Sequence, residues 1–312
     1  MKLLRRGRRA VPRLVPELGD FELGRMLGRA SGVIRPTEQD FVVAAVEHLL
    51  RESAEDWDRC THRVRVLART GNHRLFEAWC SQRAEDPYAL VLNAWSTLEL
   101  ALVNGDLTIL RHLERTCRRS AELMPGHPTP WVALLAVQRR LQRSPHEVMQ
   151  VLREITRRDP WHREAYRQML CYLSPEECGS VASLLDFVDE AQEDLPPDAP
   201  AIGLHLAALT DVYHRTVLKS NIGWITSRHY WAAPPAKRVL DQAAAHWTRP
   251  GFLSHAAALA DLNLLAYALV EAGRMQEAAD AFRAIDGTVT TWPWGVRGDP
   301  VHMFSHWHDR LL

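Results

Sequence analysis

The feature that most constrains this chain is a proline that recurs at the start of successive stretches with helical spacing of apolar residues. Proline fits the first turn of a helix, where its missing N–H is not needed. The prolines are 43, 30 and 40 residues apart, and they stand in Asp86-Pro87-Tyr88, Pro130-Trp131, Asp159-Pro160-Trp161 and Ala199-Pro200-Ala201. Helices repeated in this way predict a stacked helical array, an architecture that usually holds another molecule.

Helical periodicity is sustained from residue 37 to residue 287. We therefore predict an all-α protein in which helical hairpins stack as an α-solenoid. Changes in composition divide the chain into three parts. We predict that residues 1–36 are a basic, partly disordered tail with a short helix and that residues 37–200 are a degenerate repeat array. Residues 201–312 are predicted to hold further repeats, an aromatic loop and a C-terminal helix.

Two different motifs share one period in the middle of the chain. Ser144–Glu147 and Ser174–Glu177 both read Ser-Pro-x-Glu and are 30 residues apart, as are Pro130-Trp131 and Pro160-Trp161. Ser-x-x-Glu is the capping box of a helix N-terminus. We expect each box to begin the second helix of a pair, and the two tryptophans to fill equivalent, largely buried places.

The charge balance argues against nucleic acid as a partner. The 38 Lys and Arg residues match 38 Asp and Glu residues, whereas phosphate binding needs a basic excess. A nucleic-acid-linked role would rest on Arg5–Arg9 and on the pairs Arg139-Arg140 and Arg157-Arg158. The two pairs stand near helix ends, where the helix dipole gives a simpler explanation. Arginine supplies nearly all basic residues, a bias that a GC-rich bacterial genome produces.

The cysteines and the N-terminus indicate a cytoplasmic protein. The five cysteines are odd in number and form no CxxC motif, which favours reduced thiols. The N-terminus has the charges of a signal peptide, in Arg5–Arg9, without an apolar core behind them. No run of about 18 apolar residues occurs, so we expect no membrane span. The basic cluster is most simply a solvated tail.

The segment from Ala258 to Ile285 carries the most specific pattern of the chain. Leu265-Ala266 occupies the position of a Leu-Gly pair, Gly273 stands at a turn between two helices, and Ala278 and Phe282 follow as small and aromatic residues. In these positions the segment resembles one tetratricopeptide repeat. The resemblance implies two antiparallel helices whose close approach a small Ala266 permits.

The resemblance covers about a tenth of the chain and departs from the family at two points. Leu262 replaces the usual tryptophan, and no proline ends the unit. The segments Trp131–Arg158 and Trp161–Asp189 look like divergent members without the turn glycine. Proteins of this family are scaffolds whose concave face holds a peptide, a partner helix or a small ligand, so the resemblance implies such a role.

Motifs of catalysis and cofactor binding are missing from the sequence. It has no GxGxxG, no GxxxxGK followed by Ser or Thr, no GxSxG and no HExxH. We predict no cofactor and favour a protein that is not an enzyme. His302 and His306, four residues apart, could share a metal on one helical face, with His308, Asp299 or Asp309 nearby. Ordinary surface or half-buried histidines explain the spacing more simply.

Residues 219–235 interrupt the helical pattern and are predicted to form a long connection. Connections of that length are usually functional or disordered, and aromatic and arginine anchors dominate the binding energy of interfaces. The alternative is a loop that covers the core. We predict that the inner face of the array and this loop bind a partner, through Trp224, Arg228, His229, Tyr230 and Trp231.

The sequence therefore favours a non-catalytic helical-repeat scaffold that binds a protein or peptide. The alternative is a small-molecule-binding protein or an enzyme, with a site between the helical array and the loops 219–235 and 290–308. A closed polar pocket lined by His229, Trp231 or His306 would favour the alternative, and an open groove would favour the scaffold.

Overall fold

The computed structural model describes residues 10–30, 34–53, 55–218 and 224–312. In this part of the chain helices dominate the backbone, which confirms the all-α class. Among the described residues, strand is confined to β1 (Arg13–Leu14) and β2 (Thr288–Val289). No helix among the described residues is long and apolar enough to cross a membrane. The basic cluster Arg5–Arg9 lies outside the described residues.

Residues Gly19–Leu204 form one compact unit, called here the large unit. A 3₁₀ turn precedes its second helix, and another follows its last one. Its α-helices are α1 (Phe21–Ala30), α2 (Gln39–Glu52), α3 (Trp57–Ala68), α4 (His73–Gln82), α5 (Pro87–Asn104), α6 (Leu110–Leu123), α7 (Thr129–Arg140), α8 (Pro145–Thr156), α9 (Arg163–Tyr172) and α10 (Val181–Glu193).

The C-terminal unit consists of the described residues up to Leu18 together with His205–Leu312. β1 pairs with β2 in parallel, so a segment predicted as part of the tail supplies a strand here. The helices are α11 (Leu204–Tyr213), which continues as a π-helical turn over His214–Leu218, α12 (Trp224–Ala232), α13 (Pro234–His246), α14 (Ala258–Glu271), α15 (Met275–Ile285) and α16 (Pro300–Leu311).

Local signals set the ends of several helices where the sequence predicts them. Asp86 caps α5 by accepting hydrogen bonds from the backbone N–H groups of Tyr88 at 3.0 Å and Ala89 at 3.3 Å. The same helix ends at Gly105, whose φ of 69° is a left-handed conformation that glycine adopts without strain. Ser144 and Glu147 form the predicted capping box of α8.

The second Ser-Pro-x-Glu motif does not begin a helix, and that prediction is wrong. Residues 174–178 form a turn, and α10 begins later, capped by Ser180. The carboxylate of Glu177 lies 3.2 Å from both Arg139 and Arg140 of α7. Because Glu177 pairs with these arginines, it does not close a capping box with Ser174. The 30-residue period is therefore not repeated in the helices.

The two tryptophans do not occupy equivalent places, so this prediction is also wrong. Trp131 is the third residue of α7, whereas Trp161 lies in the turn before α9. Both side chains are partly exposed. The guanidinium carbon of Arg158 lies 5.0 Å from the ring centroid of Trp131. Trp161 stacks on Tyr166, with ring centroids 6.4 Å apart.

Helix α7 lies at the centre of the large unit. Ten of its twelve residues are buried, and α3, α5, α6, α8 and α9 all pack against it. Burying a side chain such as Leu134 or Leu135 stabilises the fold by roughly 1.5–3 kcal/mol. A helix that is covered by so many neighbours is a rigid element on which to build a site.

A buried hydrogen-bonded chain connects α3 and α7 to the residue that precedes α9. Thr61 Oγ1 lies 2.7 Å from Thr129 Oγ1 and 3.0 Å from His162 Nε2. His162 Nδ1 accepts from the N–H of Ala165 at 3.4 Å, so the ring proton is on Nε2, which donates to Thr61. Burial lowers the pKa of His162 to about 4, so the ring is neutral at pH 7.

Candidate functional site

The segment predicted as a long connection is helical from Trp224 to Ala232, so the prediction of a loop is wrong. The apolar residues of α12 do not recur at helical spacing, and the sequence therefore gives no amphipathic signal for this helix. The second predicted loop, residues 290–308, is also partly helical, because α16 begins at Pro300.

The five residues predicted to bind a partner differ in their placement. Arg228 and His229 are exposed on α12. Tyr230 is partly buried, and its hydroxyl donates a 2.6 Å hydrogen bond to a backbone carbonyl of α11. Trp231 is only 2% exposed and belongs to the core, and the side chain of Trp224 lies outside the described residues. Partner binding by the exposed Arg228 and His229 stays a prediction.

In the described part of the C-terminal unit, several buried polar atoms have no hydrogen-bond partner. They include His214 Nε2, Trp231 Nε1 and the hydroxyl of Tyr267. The rings of His214 and Tyr267 meet edge to face, with centroids 5.3 Å apart. Burial lowers the pKa of His214 to about 4 and raises the pKa of Tyr267, so neither group changes charge near pH 7.

The weak metal candidates His302 and His306 are both exposed on α16. His306 Nε2 lies 3.0 Å from the guanidinium of Arg310, a cation that would repel a metal ion. Among the described residues, no group of three or more His, Cys, Asp or Glu side chains is placed to hold a metal.

A cleft of about 410 Å³ in the large unit is lined by side chains of α6, α7 and α8, and we call it the α6–α8 cleft. Its α8 wall is polar. Glu147, Gln150, Val151 and Glu154 follow one another at spacings of three, one and three residues, which places them on one face of the helix. Arg153 stands beside this stripe, and Val151 is the apolar contact between the wall and the core.

The floor of the cleft is α7, through Trp131 and Gln138. The two residues are seven apart, so they share a face and are separated by about 10 Å along the axis. Gln138 Nε2 donates to Glu114 Oε1 at 3.1 Å, whereas Gln138 Oε1 and Trp131 Nε1 have no hydrogen-bond partner among the residues that the structure describes. Both atoms are shielded from solvent, and an unpaired buried polar atom costs about 1–3 kcal/mol.

Glu114 of α6 joins the floor to the third wall. Its carboxylate accepts hydrogen bonds from Gln138, from Arg143 at 2.7 Å and from Arg118 at 3.3 Å. Burial opposes ionisation of Glu114, but the hydrogen bonds from Arg143 and Gln138 outweigh it and lower its pKa. Arg118, which lines the cleft on the α6 side, is held in place by this carboxylate.

The charged side chains of the cleft are paired, with one exception. Glu147 accepts hydrogen bonds from Ser144, which lower its pKa. Glu154 accepts hydrogen bonds from two arginines that follow it, at 2.7 and 3.0 Å, which lower its pKa too. Arg118 pairs with Glu114. In the part of the chain that the structure describes, the guanidinium of Arg153 has no hydrogen-bond or ion-pair partner.

One residue in the sequence, Gln138, indicates a polar site at this place. Gln138 directly follows the apolar run Val132–Val137 on a helix that is buried almost all round. A glutamine at such a position needs a polar partner, and Glu114 supplies one. Gln150 and Arg153 look like ordinary surface residues in the sequence, because only the packing of α6 and α8 on α7 brings them to a common cleft.

Comparison of the chain with protein-family models, with curated protein sequences and with solved structures finds no match. The geometry of the cleft therefore carries the functional argument. Its described lining consists of arginine, glutamate, glutamine, tryptophan and valine side chains, which are suited to hydrogen bonding and ion pairing with a bound molecule.

Proposed function

We propose that this chain is a non-catalytic helical-repeat scaffold that binds a peptide segment of a protein partner in the α6–α8 cleft. The observation that supports this most strongly is a solvent-open polar cleft built on the rigid helix α7. Its volume of about 410 Å³ lies within the range of about 300–1,000 Å³ typical of ligand sites.

The polar groups of the floor are complementary to a peptide backbone. Trp131 Nε1 is a donor and Gln138 Oε1 an acceptor, and a backbone offers a carbonyl to the first and an N–H to the second. An extended chain rises about 3.3 Å per residue, so about three peptide residues span the roughly 10 Å between the two side chains. Because both atoms are covered in the free chain, binding requires small movements of the side chains above them.

The hairpin α14–α15 supports the scaffold part of the proposal. The two helices pack against each other and meet at Gly273, whose φ is 76°. This is the arrangement that the resemblance to a tetratricopeptide repeat implies for Ala258–Ile285. Stacked hairpins of this kind are used for binding proteins and peptides.

Blocking the cleft tests the proposal. Gln150→Trp places a bulky side chain on the exposed α8 wall without touching the core, so binding should fall at least about tenfold while the thermal midpoint stays unchanged. The probe is a set of peptides selected from a random 12-residue display library on the full-length wild-type chain. Fluorescence anisotropy of the synthetic peptides measures the affinity.

The matched control is Gln82→Trp, the same substitution at an exposed position of α4 that does not line the cleft. It should bind the selected peptides as the wild type does. Equal binding by Gln150→Trp would contradict the proposed site. If binding were then lost on changing Arg228 and His229 to Ala, the exposed surface of α12 would be the recognition surface instead.

A further inference from the structure

We infer that the bound segment carries an acidic side chain, Asp or Glu, whose carboxylate pairs with Arg153. The inference rests on the proposed use of the α6–α8 cleft for peptide binding. It goes further in naming the chemical class of the partner segment and the residue that selects it.

The charged side chains at the cleft differ in whether they are already paired within the chain. Arg118, Glu147 and Glu154 each have a partner within the chain, so a ligand gains little by competing for them. Arg153 has none among the described residues, and its exposed side chain lines the cleft. The unpaired guanidinium of Arg153 is therefore available to a carboxylate of the ligand. A guanidinium and a carboxylate can form two parallel hydrogen bonds.

The same charges favour a single carboxylate over a polyanion. Glu154 is the neighbour of Arg153 in the sequence, and Glu147 stands on the same wall. Both are ionised at pH 7, because hydrogen bonds from Arg158 and Arg157, and from Ser144, lower their pKa values. A phosphate chain laid along this wall would meet these carboxylates, whereas one acidic side chain can reach Arg153 between them.

The position of Arg153 also fixes where the acidic residue stands. Arg153 follows Gln150 by about one turn of α8, and both side chains line the cleft whose floor is Trp131 and Gln138. A segment whose backbone lies over α7 therefore brings its acidic side chain to the α8 wall, beyond the point where the backbone passes Gln150.

Charge reversal tests the inference. The probes are one selected peptide with its acidic residue intact and the same peptide with Lys in that place. Arg153→Glu should weaken binding of the acidic peptide about tenfold and should bind the Lys peptide more tightly than the wild type does. Arg74→Glu, an equal change of charge at an exposed position of α4 outside the cleft, should leave both affinities unchanged.

The outcomes separate this inference from the function on which it rests. The acidic residue is ruled out if the selected peptides lack Asp and Glu. It is also ruled out if Arg153→Glu binds the peptides normally while Gln150→Trp blocks binding, and the cleft then remains the binding site. If no selected peptide depends on Gln150, both fail. If micromolar acetyl-glutamate amide displaces the peptide, the natural ligand is a small acid and the proposal of a peptide ligand is wrong. Equal thermal midpoints of the variants exclude unfolding as the cause.

Discussion

At the scale of residues, the large unit is organised around polar side chains that are buried with their partners. Thr61, Thr129 and His162 connect three helical segments through one continuous chain of hydrogen bonds. Such networks favour one arrangement of helices because breaking a contact leaves a buried polar group unpaired. No spacing rule in the sequence links residue 61 to residue 162, since the contact depends on how α3 and α9 pack against α7.

The neutral state of His162 predicts a dependence of stability on pH. Its pKa is about 4 in the folded chain against an ordinary value of 6.5. As the pH falls from 6.5 to 4, the unfolded chain binds a proton that folded His162 does not, so the folded state loses stability in this window. His162→Asn keeps a helix-capping side chain and removes this proton uptake, so its stability should fall less steeply.

Urea unfolding of the two proteins at several values between pH 7 and pH 4 measures the difference. His127 also has a pKa of about 4, so the variant should retain part of the slope. The exposed His112→Asn serves as the control and should follow the wild type. Parallel curves for the wild type and His162→Asn would show that His162 takes up its proton equally well in the folded chain.

At the scale of elements, local capping signals predict helix ends only where no distant residue competes. Asp86-Pro87 and Ser144–Glu147 behave as the sequence predicts, because their partners are backbone N–H groups a few residues away. Ser174–Glu177 has the same Ser-Pro-x-Glu pattern, but Glu177 forms ion pairs with Arg139 and Arg140. Helix α12 has no amphipathic spacing in the sequence, because packing against α13 and α14 stabilises it.

The turn between α14 and α15 gives a prediction at this scale. Gly273 has a φ of 76°, and a Cβ atom there would approach Arg228 Nε to 3.0 Å. Gly273→Ala should therefore lower the free energy of unfolding by about 1 kcal/mol, mostly through backbone strain, because the arginine side chain can move aside. Chemical denaturation measures the change.

Gly126→Ala is the matched control, because Gly126 has no left-handed φ and a Cβ there would meet nothing within 4 Å. It should leave the free energy of unfolding unchanged or raise it slightly. A Gly273→Ala variant as stable as the Gly126→Ala variant would mean that the turn adjusts to a side chain without cost.

At the scale of the whole molecule, the sequence was sufficient for the fold class and insufficient for the site. Helical periodicity over most of the chain predicts an all-α protein, and the structure confirms it. The α6–α8 cleft depends on three helices and on which charges find distant partners, as Glu114 does with Arg143, 29 residues along the chain. Neither such distant pairing nor the shape between helices is encoded at a fixed spacing, so the sequence alone does not single out Arg153.

The central claim is that a partner peptide occupies the α6–α8 cleft. Its most direct test is photo-crosslinking of a selected peptide that carries benzoylphenylalanine to the full-length chain, followed by mass spectrometry of the crosslinked fragments. We expect crosslinks within Leu110–Leu123 and Pro145–Thr156, which are lost in Gln150→Trp and kept in Gln82→Trp. Crosslinks confined to Trp224–Ala232 would contradict it and place recognition on α12.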